Sequence, residues 1–421
     1  MMRLFAAFSL LLFTYTGFSQ TNQERFLDSL LSTQTSSNGP GLAIGVVHQN
    51  ELIHSGYAGL ANLEYDIPIT SETIFGLASI TKQMTASCIG ILEHRKQLSL
   101  EDDVRKHIPE LHFFGDTIRI KHLLNHTSGL RNHNVLLNLK GFDYDHEGYT
   151  NEMIEELIYL QRGVNHSPGD KMLYSNSNYV LLALIVKRIS GKSIPEFSND
   201  ELFVPLKMSQ TFFKTDIHQV IKNRAHSYYK RDNVYMEPIS LTLCVGAGGV
   251  GSTIEDMAKW SEILLNKNAD FSYLSSFLSS LDTLNNGSAN NCARGVFVSD
   301  YQGYSTLNHG GRDLGMRSKI VAIPELDLAV IVLTNSEHIN ADQISYEVLD
   351  SFLEPNEKQV TQALTYKHSL EELASFIGDY QEQNSDLLMQ ITLYNDTVWA
   401  QSSFGRAPVA LINGEKNSLV R

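Results

Sequence analysis

The chain has 421 residues, 42% hydrophobic and 19% charged, which suits a globular core spread over two or three domains and excludes a disordered or fibrous chain. Its formal net charge of −14 argues against nucleic acid or an anionic membrane surface as the partner. Its three cysteines, Cys88, Cys244 and Cys292, show no C-x-x-C spacing, supply no disulfide framework and are expected to be buried thiols.

Residues 1–20 carry a basic Arg3, an apolar run over 4–13 and small or polar residues before Gln20, the pattern of a cleaved secretory signal. The expectation is an exported chain, periplasmic or extracellular, with no stable membrane span, because no later segment reaches the length a spanning helix requires. Residues 21–31 set Phe26, Leu27, Leu30 and Leu31 at helical spacing, and Gly39-Pro40-Gly41 stops that helix. The runs 42–48 and 52–56 are apolar and β-rich around Gln49-Asn50-Glu51, as in a hairpin. A buried helix is predicted over 80–97 from the stripe Met84, Cys88, Ile91 and Leu92. The stretches 98–111, 118–124, 152–162, 179–190 and 194–203 also read as mostly helical.

After Gly295 the character changes, with strands predicted at 296–299, 304–308, 318–323 and 328–333 and a helix over 339–353. The expected fold is therefore α+β: one antiparallel sheet assembled from both ends of the chain, flanked by terminal helices, with a large helical insertion. The main domain is set at 21–354. Residues 355–421 are read as a linker and a small, truncated β-rich module in which no closing strand is legible.

The chemistry centres on Ser79-Ile80-Thr81-Lys82. Residues three apart share a helix face, so the Lys82 amine can reach the Ser79 hydroxyl, and burial would favour the neutral amine that a base must be. The helix start adds free backbone N–H groups suited to an oxyanion. Tyr174 and Asn176 lie in a Gly/Pro turn that leads into the apolar helix, where a tyrosine can share protons with a lysine and an asparagine can orient a carbonyl. His309-Gly310-Gly311-Arg312 falls at the end of one strand and before another, where paired glycines admit a substrate backbone and leave an N–H free. Asn125 to Leu130 forms a further polar loop.

Together these motifs resemble the serine β-lactamase and penicillin-binding-protein superfamily, specifically its class C-like branch of D-aminopeptidases, D-alanyl-D-alanine carboxypeptidases and family VIII esterases. The resemblance covers about 42–353, with S-x-x-K at Ser79 and Lys82, Y-x-N at Tyr174 and Asn176, and H-x-G at His309 and Gly311. It implies a β-lactamase/transpeptidase-like fold and a serine hydrolase without cofactor or metal. Ser79 would be the acylated nucleophile, and Lys82 and Tyr174 would share general base and acid duties. Asn176 would position a small-molecule or peptide substrate, and the backbone N–H groups of Ser79 and Arg312 would form the oxyanion hole.

His309 departs from the lysine of the family's K-T-G motif, and a largely neutral imidazole holds a carboxylate less well, which suits esterases and D-aminopeptidases. Arg312 could restore a cation, so a β-lactamase remains an alternative reading, as does a non-catalytic penicillin-binding sensor.

Three competing patterns carry less weight. Gly246 to Gly251 matches G-x-G-x-x-G with Asp270 downstream, but no alternation of strands and helices surrounds it, so the glycines are expected to line a turn near the site. His122 and His126 are four apart as zinc ligands can be, yet no third ligand follows. Tyr228-Tyr229-Lys230-Arg231 invites a nucleic-acid reading but suits a solvated loop better.

Overall fold

The protein is represented by a computed structural model that describes residues 22–144, 146–353, 369–381, 388–394, 397–402, 409–413 and 419–420. The signal expected over 1–20 and the linker expected over 355–365 lie outside these residues.

Helix α1 (Asn22–Gln34) precedes the hairpin of β1 (Leu42–His48) and β2 (Glu51–Ala58). There follow β3 (Phe75–Gly76), α2 (Thr81–His94), α3 (Asn176–Ser190), β4 (Val250–Ser252) and α4 (Ile254–Leu264). The chain returns to the sheet with β5 (Phe297–Tyr301), β6 (Tyr304–Asp313), β7 (Met316–Ile323) and β8 (Leu328–Thr334), then ends the domain with α5 (Ala341–Asp350). The six main strands form one antiparallel sheet in the order β5-β6-β7-β8-β1-β2. Its centre joins the two ends of the domain: Leu42 pairs with Thr334 and His48 with Leu328.

Both faces of this sheet are covered, which is why β1 and β8 read as continuous apolar runs rather than as an alternation. Leu42, Ile44, Val46, Val330 and Val332 pack with Leu27 and Leu31 of α1 and Ile344 and Val348 of α5. The intervening side chains, among them Ala43, Val47, Ile331 and Leu333, join the larger core of the helical insertion.

The α+β architecture, with terminal helices and a large helical insertion, is that expected, and three local readings are corrected. Residues 98–111 hold no α-helix but only the 3-10 turn Val104–Lys106. There, Asp102 and Asp103 side chains accept from Ser99 N and Arg105 N, and Val104 N donates to Ile118 O, so local and cross-chain bonds replace a helical ladder. Strand β6 runs on through Asp313, so the His309–Arg312 motif is inside a strand rather than after one. Cys88 and Cys292 are buried thiols, whereas Cys244 is only partly buried.

The C-terminal strands Gly378–Gln381, Leu388–Tyr394, Thr397–Ser402, Val409–Asn413 and Leu419–Val420 make a second, five-stranded sheet. Its last strand pairs Val420 with Ile412 and supplies the closing strand that the sequence left illegible.

Candidate active site

Ser79 occupies a single 3-10 turn, Ala78–Ile80, wedged between the sheet and α2. Ala78 sits at φ +49°, a left-handed conformation that an alanine adopts only when its surroundings impose it. Leu77 shows what imposes it: its N–H donates to Val250 O at 2.8 Å, and its carbonyl accepts from Ser318 Oγ at 2.8 Å. Ser79 is left partly exposed between buried Ala78 and Ile80.

Gly311 completes the wedge, because a Cβ there would lie 2.4 Å from Leu77 O and 2.2 Å from Ser318 Oγ. Only glycine lets β6 approach the Ser79 turn so closely. Gly310 faces the other way and has room, with nothing closer than 3.6 Å to its ideal Cβ.

Lys82 is fully buried at the start of α2, and its Nζ donates to Ser79 Oγ at 3.0 Å and to Ala247 O at 2.7 Å. Desolvation brings its amine down to about 7, so near neutrality much of it is the unprotonated form that can accept a proton. The Gly246–Gly251 segment carries no nucleotide fold around it. It threads beneath the site, where Gly246 O accepts from Thr85 Oγ1, Ala247 O receives Lys82 and Val250 N donates to Thr81 Oγ1. Gly246 itself stands at φ +107°, with Tyr179 O 2.5 Å from its ideal Cβ.

The Tyr174 hydroxyl lies beside that of Ser79, and burial pushes the phenol far above its ordinary value, so it keeps its proton. The Lys82 Nζ stands 5.0 Å from the Tyr174 ring centroid. Beneath the tyrosine is His126, whose ring lies 4.2 Å away. The His126 Nδ1 accepts from Ser175 N at 3.2 Å, and its carbonyl accepts from Leu173 N at 2.9 Å, so this buried histidine pins both neighbours of Tyr174. The loop from Asn125 to Leu130 thus sets the position of the tyrosine, and no group of three metal-ligating side chains exists among the described residues. Asn176 opens α3, two residues after Tyr174, and is partly exposed.

His309 is buried, and its Nδ1–H donates to Gly310 O at 2.6 Å, which leaves Nε2 as the acceptor. Burial, reinforced by Lys82 nearby, lowers its pKa to about 3, so the ring is uncharged at neutral pH. Arg312 continues the strand, but its side chain leaves on the face opposite Ser79. Its partner across the sheet is Arg317, and its guanidinium is 3.9 Å from Asp342 of α5, which also holds Lys319 at 3.0 Å. The Arg312 guanidinium therefore lies away from Ser79, while its backbone belongs to the edge beside it.

Two contributors escaped the sequence reading. The Ala247 carbonyl is a backbone group 165 residues from Lys82, and Ser318 acts only through the strand register. His126 did stand out, through its spacing from His122 and as part of the Asn125 to Leu130 loop, and it is the structural role of that loop that the structure shows. The tyrosine two residues before Asn176 was the better signal that something had to hold it.

A mixed sheet-and-helix domain with a buried lysine and a tyrosine on one serine defines a class of serine hydrolase. The chain belongs to the Beta-lactamase family, whose family model matches residues 27–350. It is 26% identical over 308 residues to a D-aminopeptidase of Gluconobacter oxydans, covering 73% of this chain and 57% of that one. It is 30% identical over 192 residues to penicillin-binding protein 4* of Bacillus subtilis, covering 45% and 42%. The chain thus spans about half the length of these curated relatives. Among solved structures, the octameric penicillin-binding protein homologue from Pyrococcus abyssi superposes with a TM-score of 0.71 at 22% identity, covering 94% of both chains. A D-stereospecific amidohydrolase from Streptomyces gives 0.63 at 18% identity, covering 77% of this chain and 96% of that one.

Proposed function

We propose that the protein cleaves an amide or ester through an acyl-enzyme on Ser79, with Lys82 as base and Tyr174 as the acid that serves the leaving group. The observation that carries this reading is the buried Lys82 amine, brought near neutrality and bonded to the Ser79 hydroxyl. In its neutral form the amine turns its lone pair to that hydroxyl, while one N–H stays on Ala247 O. As Ser79 Oγ bonds to the substrate carbonyl carbon, its proton passes to Lys82 Nζ, and the electron pair of the carbonyl moves to oxygen. The backbone N–H groups of Ser79 and Arg312 receive that oxyanion; Ser79 is at the start of a helix, where N–H groups have no carbonyl behind them. Collapse expels the leaving group, which takes the proton of Tyr174. Lys82 bonds the Ser79 hydroxyl and Tyr174 lies beside it, so the proton taken up by Lys82 can pass back to Tyr174. Water then attacks the acyl-enzyme with the same groups in reverse roles.

Asn176 lines the approach to the ester or amide, and the neutral His309 disfavours substrates that must be gripped by a carboxylate, which places β-lactams second. The likeness to a D-aminopeptidase and a D-stereospecific amidohydrolase supports amides of D-amino acids and short peptides. The pattern of residues 1–20 supports export, so these substrates would be met outside the cytoplasm.

The test is turnover of a short p-nitrophenyl ester, D-amino-acid p-nitroanilides and a chromogenic cephalosporin by the purified protein and its Ser79→Ala variant. Ser79-dependent release of p-nitrophenol or p-nitroaniline is expected, with the cephalosporin the poorest. Absence of turnover together with a stable acyl adduct on Ser79 would instead make the protein a penicillin-binding sensor.

A further inference from the structure

We propose that Asp313 is a substrate-binding residue that holds the ammonium of a substrate whose free amine is one carbon from the acyl carbon. The preferred substrates are then amides or esters of unblocked amino acids. The proposal rests on the acyl-enzyme reading of Ser79.

Strand β6 outruns its neighbour. β5 pairs with β6 only between Tyr304 and Asn308, so from His309 to Asp313 one edge of β6 carries no strand. That edge borders the nucleophile turn. Its faces are fixed by register: Gly311 opposes Ser318, which bonds Leu77 O, and Asp313 opposes Met316, whose Cγ lies 3.7 Å from an ideal Cβ on Gly76 of β3. Residues opposite each other on antiparallel strands share a face, so Asp313 stands on the Ser79 side with His309 and Gly311. Asp313 is exposed there.

On this face the edge offers an uncharged imidazole, a glycine and one acid. The cations of the neighbourhood are engaged elsewhere: Lys319 with Asp342 at 3.0 Å, Arg317 with Glu337 at 3.4 Å, and Arg312 with Asp342 at 3.9 Å. The Asp313 carboxylate itself makes no hydrogen bond or ion pair among the described residues. An arriving cation would therefore meet an acid with no partner.

Reach also fits. With the acyl oxygen on the Arg312 N–H, an α-ammonium is two bonds from the acyl carbon, and the next residue along a strand is only about 3.3 Å on. That residue is Asp313. N-acylation would remove the charge that it reads, and a carboxylate at that place would be repelled.

The experiment compares kcat/KM for D- and L-alanine p-nitroanilides with their N-acetyl and N-succinyl derivatives, and uses p-nitrophenyl acetate with Ser79→Ala as a neutral reference. The wild type should prefer the free amine, and Asp313→Asn should lower the free-amine to N-acetyl ratio by about 10- to 100-fold, the scale of one charge-assisted hydrogen bond. Asp313→Glu should restore part of that ratio, and Asp313→Lys should turn preference toward the N-succinyl derivative. A ratio unchanged in Asp313→Asn, or a wild type that favours N-acetyl or N-succinyl substrates, would overturn the proposal while Ser79-dependent acetate turnover upheld the hydrolase. If no substrate gave Ser79-dependent turnover, the acyl-enzyme reading would fall and this one with it.

Discussion

Replacing Lys82 with methionine keeps the bulk of a fully buried side chain and removes its charge, so it reads directly what burying that amine costs. The folded amine is lowered from 10.5 to about 7. The unfolded chain therefore binds more protons than the folded one between those values, and wild-type stability must rise with pH across that window and be lowest below it. At pH 9 folding must strip a proton from an amine whose unfolded value is 10.5, a cost of about 2 kcal/mol; at pH 6 the whole difference applies, about 5 kcal/mol. The methionine variant carries no such term. It does orphan Ala247 O, a penalty that does not vary with pH, so the informative quantity is the change between the two pH values.

Urea unfolding of the wild type and Lys82→Met at pH 6 and pH 9 should show the variant gaining about 3 kcal/mol on the wild type at the lower pH. A gap independent of pH would mean that Lys82 keeps an ordinary pKa, and the amine could not then serve as the base proposed for Ser79.

Other perturbations separate the parts of the site. Gly311→Ala should lower kcat/KM by about 100-fold or more, since a 1 Å displacement at a reacting centre has that effect, and should lower the melting temperature; Gly310→Ala, which has space, should do neither. Ester turnover and thermal melting of the pair would check this, and equal effects would refute the wedge. Ser318→Ala removes the bond to Leu77 O and should cost about 1 kcal/mol of stability, seen by urea unfolding, with slower acylation of Ser79 by a fluorophosphonate probe. The kcat/KM profile should rise through about pH 7 as Lys82 deprotonates and should keep that limb in His309→Asn, because His309, at about 3, is already neutral. Loss of the limb in that variant would assign it to the histidine.

Local chemistry was legible where the chain itself brings groups together. Ser79 and Lys82 are one helical step apart, and the continuous apolar run of β1 announces a sheet covered on both sides. What depended on register was not legible. Nothing in His309-Gly310-Gly311-Arg312 says which face each side chain takes until Gly311 is set against Ser318 and Arg312 against Arg317. The apolar spacing of 98–111 suggested a helix because Asp102, Asp103 and the contact to Ile118 compete for the backbone through groups outside that spacing. Likewise, a histidine four residues from another resembles a ligand pair until its neighbours are known to be Tyr174 and Tyr179.

The central seam of the sheet, Leu42–His48 against Leu328–Thr334, also fixes when the site can come into being. The serine turn leaves the ribosome 241 residues ahead of the Ser318 hydroxyl that clasps it, a lag on the order of ten seconds to a minute at ordinary synthesis rates. During that interval the serine has its lysine close by in sequence but no edge strand and no clasp. Such a nascent chain is an inert hydrolase with an uncovered apolar strand, so it needs protection from aggregation more than restraint of its activity.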